Sequence, residues 1–288
     1  MNKEAIKKEI SEINPVSAIE YAYRANLSLL VGRYQDAIFD YSRAMNMDIE
    51  IVERFNVYQS RGFCYFNLGL YYKAIEDYNI AINTHSSCYQ DRGDTYFELE
   101  RYQDAIIDYK KSLRNYPHDY EVFTSLGNAC LKLSHYDEAL DCYNNAIIFG
   151  ERDLSGYVDR GEWEDSPHFI NCKKSLSTAY CKRGEFYSNV LQDYEKASVD
   201  FGESIKVDEN GTAYYNRAMI QFSLNDYGMA RNYRLAIDDL GHAIRINPND
   251  ADAYYLRYRA YRMIGSGNYK QSDSDLRKSI RLNPFING

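Results

Sequence analysis

Tyr89-Gln-Asp-Arg-Gly-Asp-Thr-Tyr96, continued by Arg101-Tyr-Gln-Asp-Ala-Ile-Ile-Asp-Tyr109 and closed by Asn115-Tyr-Pro117, reads as one complete structural unit. In its second half Ala105, Tyr109 and Ser112 stand four and three residues apart, which is one face of a helix. Pro117 ends that helix, because proline has no N–H to donate and its ring clashes with the preceding turn. The same order, a small residue followed by Ala, a ring or Leu, and Ala or Ser, recurs seven times. The sets are Ala25/Ala37/Tyr41/Ala44, Gly62/Ala74/Tyr78/Ala81, Gly93/Ala105/Tyr109/Ser112, Gly127/Ala139/Tyr143/Ala146, Gly184/Ala197/Phe201/Ser204, Ala218/Ala236/Leu240/Ala243 and a degenerate Tyr258/Ser272/Leu276/Ser279. A period of about 34 residues predicts stacked two-helix units, each needing a neighbour to bury its apolar stripe.

The array resembles the tetratricopeptide repeat family over residues 17–285. The resemblance implies an all-α, right-handed superhelical solenoid of about seven helical hairpins, with the first helices lining a concave groove. Ile6, Ile10 and Ile13, spaced among Lys and Glu, predict an amphipathic capping helix within residues 1–15. Repeats one to four then occupy 16–149 and repeats five to seven 172–288. Between them, 150–171 forms an acidic insert that carries Trp163, the sole tryptophan, and lengthens the next helix from Ser166-Pro167. In repeat six, Ala218 and Ala236 are eighteen residues apart in place of twelve, which predicts a longer inter-helix turn at Gly228 to Tyr233.

Composition narrows the class. The 288 residues are 45% hydrophobic with only five prolines, enough for a continuous core. A net charge of −8 opposes a nucleic-acid surface, which needs a basic stripe. No apolar run suits a membrane span or signal peptide, and six scattered cysteines without a Cys-x-x-Cys pair read as reduced thiols, so the cytoplasm is expected. Most of the thirty tyrosines fall on repeat positions and read as interface packing.

Six repeats place Arg just before the small or equivalent residue and Asp just before the ring or Leu. The pairs are Arg24/Asp40, Arg61/Asp77, Arg92/Asp108, Arg183/Asp200, Arg217/Asp239 and Arg257/Asp275, whereas repeat four has Leu126 and Cys142. Charges that come and go together predict contact across each hairpin, a guanidinium fork on a carboxylate, with a structural and not a catalytic role.

In the family, the residues three before and one, four and five after the small residue tend to face the groove. Carried onto this chain, that face holds Gln59, Phe63, Phe66, Asn67, Gln90, Asp94, Phe97, Glu98, Thr124, Asn128 and Lys132, then Glu185, Tyr215, Met219, Phe222, Tyr255 and Arg259. Rings beside amides and carboxylates suit a peptide or protein segment. The family's carboxylate clamp pairs a Lys three before the small residue with an Asn after it. Asn26 and Asn128 fit the Asn, but Ala22 and Thr124 replace the Lys, so a neutral or basic segment is expected over an acidic C-terminal tail. The five His form no metal-ligand spacing, and no nucleophile elbow, phosphate loop or dinucleotide fingerprint occurs. The expectation is a non-enzymatic interaction scaffold or adaptor without cofactor, nucleic acid or membrane. The rival readings are a self-associating structural protein and a regulatory or sensor subunit of a larger complex.

Overall fold

The computed structural model describes residues 2–48, 56–83, 88–161, 166–223, 230–265 and 269–286, and every regular element among them is helical. The chain divides into two compact units, Met1–Ala139 and Leu140–Gly288. The first contains α1 (Lys3–Glu12), the hairpins α2 (Ala18–Leu30) with α3 (Tyr34–Met47), α4 (Val57–Asn67) with α5 (Tyr71–Ala81) and α6 (Cys88–Glu98) with α7 (Tyr102–Asn115), then α8 (Tyr120–Lys132). The long α9 (Tyr136–Asp159) begins in the first unit and ends in the second. The second continues with α10 (Pro167–Phe186), α11 (Tyr194–Val207), α12 (Gly211–Ser223), α13 (Ala230–Ile246), α14 (Ala251–Ile264) and α15 (Tyr269–Leu282).

Helix starts follow local chemistry. Ser17 and Glu20 form a reciprocal capping box on α2, while Asp119, Ser166, Asp193 and Asp250 accept from the first-turn amides of α8, α10, α11 and α14. First helices end in a left-handed residue at one equivalent place: Gly32, Gly69, Glu100, Ser134 and Gln192 have φ of 81°, 71°, 58°, 60° and 53°. Against α2, α1 lays Ile6 and Ile10, which are buried with Leu27.

Each hairpin closes on the small residue. A Cβ added to Gly62, Gly93 or Gly184 would stand 2.8 Å from the ring of Tyr78, Tyr109 or Phe201 respectively. Those rings are at most 1% exposed. Around this contact all six predicted pairs form as two-armed forks: Arg24 on Asp40, Arg61 on Asp77, Arg92 on Asp108, Arg183 on Asp200, Arg217 on Asp239 and Arg257 on Asp275. In each, Nε and Nη2 donate to the two carboxylate oxygens at 2.6–2.9 Å. The aspartates are the withdrawn ends, 2–5% exposed, while the arginines keep some contact with solvent. Two of them have a further partner: Asp108 faces Lys111 at 3.6 Å, and Asp239 accepts from Gln221 at 3.2 Å.

Each guanidinium also lies over the tyrosine three residues earlier, at 5.7–5.8 Å from the ring centre. These rings are Tyr21, Tyr58, Tyr89, Tyr180, Tyr214 and Tyr254, so six of the thirty tyrosines serve as lids over the ion pairs. In four of the six the remaining arm, Nη1, reaches back to the preceding element. It donates to the Ile13 carbonyl from Arg24 (3.2 Å), to Ser42 from Arg61 (3.1 Å), to Asn79 from Arg92 (2.5 Å) and to Asn144 from Arg183 (2.8 Å). Repeat four changes the whole set. Leu126 and Cys142 are buried, Phe123 stands where the lid tyrosine would be, and Lys110, at the place of Ser42 and Asn79, pairs with Glu138 at 2.6 Å.

Three departures from uniform repeats lie wholly or partly within helices among the described residues. Residues 150–159 continue α9, and 167–171 open α10. Between these two helices the Cys172 thiol donates to the Gly150 carbonyl (3.7 Å), Leu176 covers Gly150, and Tyr157 meets Phe169 edge-on at 6.4 Å. The insert is therefore largely a lengthened hairpin, because its Phe169, Cys172 and Leu176 keep helical spacing. Trp163 lies outside the described residues. In repeat six the longer turn expected at Gly228 to Tyr233 is corrected in part: α13 already starts at Ala230, and Gly228 lies outside the described residues. In repeat five Gly184 and Ala197 are thirteen apart, and the extra residue is taken up by a π turn at Tyr187–Leu191.

Breaking one partner of a desolvated pair leaves the other charge uncompensated. Arg61→Leu is expected to destabilise by the low end of ~3–5 kcal/mol, since Arg61 keeps some solvent contact. Adding Asp77→Cys, which copies repeat four, is expected to recover most of the loss. Equal losses in chemical denaturation of the single and double variants would contradict the assignment.

Candidate functional site

The exposed chemistry of the first helices gathers into a cavity in each unit. In the first unit, α4, α6, α7 and α8 enclose about 240 Å³ lined by Phe66, Asp94, Phe97, Glu98, Tyr109, Ser125 and Asn128. Helical spacing puts Asp94, Phe97 and Glu98 on one side of α6, three and four residues apart. Phe66 and Phe97 are held by second-helix rings, with centroids 5.7 Å from Tyr71 and 5.2 Å from Tyr102.

Other predicted positions of this unit are committed elsewhere. Gln59 donates to Asp91 at 2.8 Å, and Asn67 donates to the Phe63 carbonyl of its own helix at 2.8 Å. Phe63 is 40% exposed and meets Tyr34 edge-on. Gln90 is half-buried and Lys132 exposed, and neither lines the cavity. Thr124 does not face a ligand as expected. It is buried, and its hydroxyl donates to the Tyr120 carbonyl at 2.9 Å, because a threonine within a helix can bond the carbonyl one turn back.

The second unit holds a cavity of about 500 Å³ to which Glu185, Tyr215 and Met219 contribute, as predicted, together with Asn189, Tyr194 and Asn216. Glu185 is already engaged, by Lys182 at 2.8 Å and Asn216 at 3.3 Å. Phe222 and Arg259 lie outside the cavity and face each other, with the guanidinium 4.8 Å from the ring centre, while Tyr255 packs on Tyr258.

The ion-pair aspartates belong to neither site. Asp40, Asp77, Asp108, Asp200, Asp239 and Asp275 are buried against their arginines and line neither of these two cavities. Both oxygens of each are taken within the hairpin, and only Asp40, with Arg24, borders a further cavity, of about 330 Å³ between α1, α2 and α3.

Sequence reasoning missed Tyr109 and Ser125. Tyr109 is a core ring, yet its hydroxyl emerges into the first cavity and donates to Asp94 at 2.7 Å. Tyr41 makes the same bond in repeat one, donating to Asn26 at 2.5 Å. The expectation that the His form no ligand group also changes, since Cys130, His135 and Glu138 bring ligand atoms within 4.8 Å of one another across the turn before α9. The five-residue and three-residue intervals were readable, but the turn that closes them was not. Lys110 holds Glu138 there and keeps its carboxyl below the usual range.

Asp94 is electrostatically distinct. Burial pushes its carboxyl up to about 7 against the opposing hydrogen bond from Tyr109, and Asp91, Glu98 and Glu121 add like charge.

Helical hairpins repeated with one closing contact define a repeat-solenoid architecture. Models described as tetratricopeptide repeat match residues 91–153 and 211–250, and the chain carries tetratricopeptide repeats there. Solved structures similar to it include the APC/C hetero-tetramer Cut9–Hcn1, at 17% identity and a TM-score of 0.64. That match covers 90% of this chain but 45% of the other, so the chain spans less than half the length of that relative. A tetratricopeptide repeat protein from Parabacteroides merdae matches at 19% identity and TM-score 0.59, covering 90% of both chains. PilF of Pseudomonas aeruginosa matches at 14% and 0.61, covering 80% of this chain and 92% of that one. At such identities the likeness is one of fold. No curated protein matches the sequence. No described helix is long and apolar enough to cross a membrane.

The raised Asp94 carboxyl has a sign that can be tested. The folded chain holds this proton more tightly than the unfolded chain between pH about 4 and about 7, so the group costs stability as pH rises through that window. Asn26 shows that an amide accepts the same phenol bond. Asp94→Asn is therefore expected to raise stability at pH 8 by about 1–3 kcal/mol and to leave it unchanged near pH 4. Thermal unfolding at the two pH values checks this, and an Asn variant less stable at pH 8 would contradict it.

Proposed function

We propose that this chain is a non-enzymatic interaction scaffold that holds a neutral or basic segment of a partner protein along the exposed face of its first helices. Tetratricopeptide repeats are in general protein–protein interaction scaffolds. The observation that carries the reading is the recurrence of a cavity in each unit at the predicted positions, each combining rings with amides and carboxylates. Rings supply buried area, whereas polar groups set register and select the partner. The bias away from acidic partners rests on Asp94 and Glu98, which lack a cationic partner among the described residues. Six buried cysteines held as thiols, outside any disulfide, suit a reducing compartment, and the cytoplasm is the proposed location.

Affinity capture from native lysate tests the groove. The comparison is wild type against a variant carrying Phe63→Ala, Phe97→Ala and Glu98→Lys, once circular dichroism shows both to be folded. Proteins held by the wild type and lost by the variant are the expected result. Identical capture by both would contradict the groove as the binding surface.

A further inference from the structure

The six hairpin aspartates withdrawn from water, Asp40, Asp77, Asp108, Asp200, Asp239 and Asp275, are each met by both arms of an arginine. Asp94 is not. Its carboxylate faces the cavity beside Glu98, and neither residue makes an ion pair among the described residues. The hydrogen bond from Tyr109 does not account for a charge at this place, because Asn26 receives the same bond from Tyr41 as a neutral amide. Glu185, the equivalent residue in repeat five, is matched internally by Lys182. The negative charge at Asp94 is thus surplus to the fold.

The rest of the cavity fits what is missing. At about 240 Å³ it is smaller than the ~300–1,000 Å³ of small-molecule sites and on the scale of one side chain. Phe66 and Phe97 offer ring surface, and Asp94 and Glu98 offer carboxylate oxygens. A guanidinium is planar, stacks on rings, and carries five N–H donors with no acceptor. An ammonium is a compact, strongly hydrated point charge that uses neither the rings nor several spread acceptors as well.

We infer that the first-unit cavity receives an arginine side chain of the bound partner segment, with Asp94 and Glu98 taking its guanidinium as the hairpin aspartates take their own. This inference rests on the peptide-binding reading and names its anchor residue.

The test is an NMR titration of the full-length, amide-labelled chain at pH 7.5 with N-acetyl-arginine amide, N-acetyl-citrulline amide and N-acetyl-lysine amide. Citrulline keeps the shape and removes the charge. The expected result is saturable shifts centred on Asp94, Phe97, Glu98, Ser125 and Asn128 with the arginine probe, at least about tenfold weaker binding of citrulline, weaker binding of lysine, and loss of arginine binding in Asp94→Asn. The Asn variant keeps the acceptor for Tyr109, so its amide spectrum reports whether it is folded. Lysine binding as tightly as arginine, arginine binding that survives in Asp94→Asn, or silence from all three probes would each overturn the inference. The lysate capture by the groove variant is read separately, so groove binding that does not depend on arginine would remove this anchor and leave the scaffold reading intact.

Discussion

Taking a carboxylate out of water is expensive unless a guanidinium goes with it, and the hairpins of this chain are organised by that constraint. An aspartate beside the core ring must be neutralised across the hairpin, which fixes where the first helix meets the second. The flat face of the arginine that does so is covered by a tyrosine one turn earlier, and in four of the six its third nitrogen finds an acceptor on the preceding element. One ion pair therefore sets the register inside a repeat and, in those four, ties the repeat to the element before it. Its net contribution to stability is modest, because desolvation offsets much of the attraction, but its geometry admits few alternatives. Repeat four supports this from within the same chain, since the pair, its lid and its outer acceptor are all replaced together by Leu126, Cys142, Phe123 and Lys110.

The same constraint makes Asp94 conspicuous. A carboxylate beside buried rings and near three other acids raises its own proton affinity and lowers the stability of the folded chain at neutral pH. The structural duty at that position, accepting a hydrogen bond from the core tyrosine, is met in repeat one by an uncharged asparagine. A group that costs stability and is dispensable to packing is best understood through what it offers to a ligand.

Much of this is legible in the sequence, because repetition makes the chain its own alignment. Seven phased copies exposed the small residue, the ring and the matched Arg and Asp, and the loss of both charges in one copy implied contact. What remained unreadable involved the depth and path of the backbone. Thr124 occupies a groove position by count, yet its hydroxyl turns back to its own helix. The extra residue of repeat five could have formed a loop but winds as a π turn, and half of the insert simply prolongs α9. Tyr109 was assigned to the core by its ring, correctly, while the position of its hydroxyl depended on how closely α6 and α7 approach at Gly93.

The most direct measurement is a carbon-13 NMR titration of the Asp94 side-chain carboxyl, with and without saturating N-acetyl-arginine amide. The account predicts a midpoint near 7 in the free chain and a clear downward displacement when the guanidinium is bound, because the cation favours the ionised form. A carboxyl that titrates in the ordinary range near about 4, unmoved by the arginine probe, would show that Asp94 is neither desolvated nor awaiting a cation. That result would contradict the account at its centre.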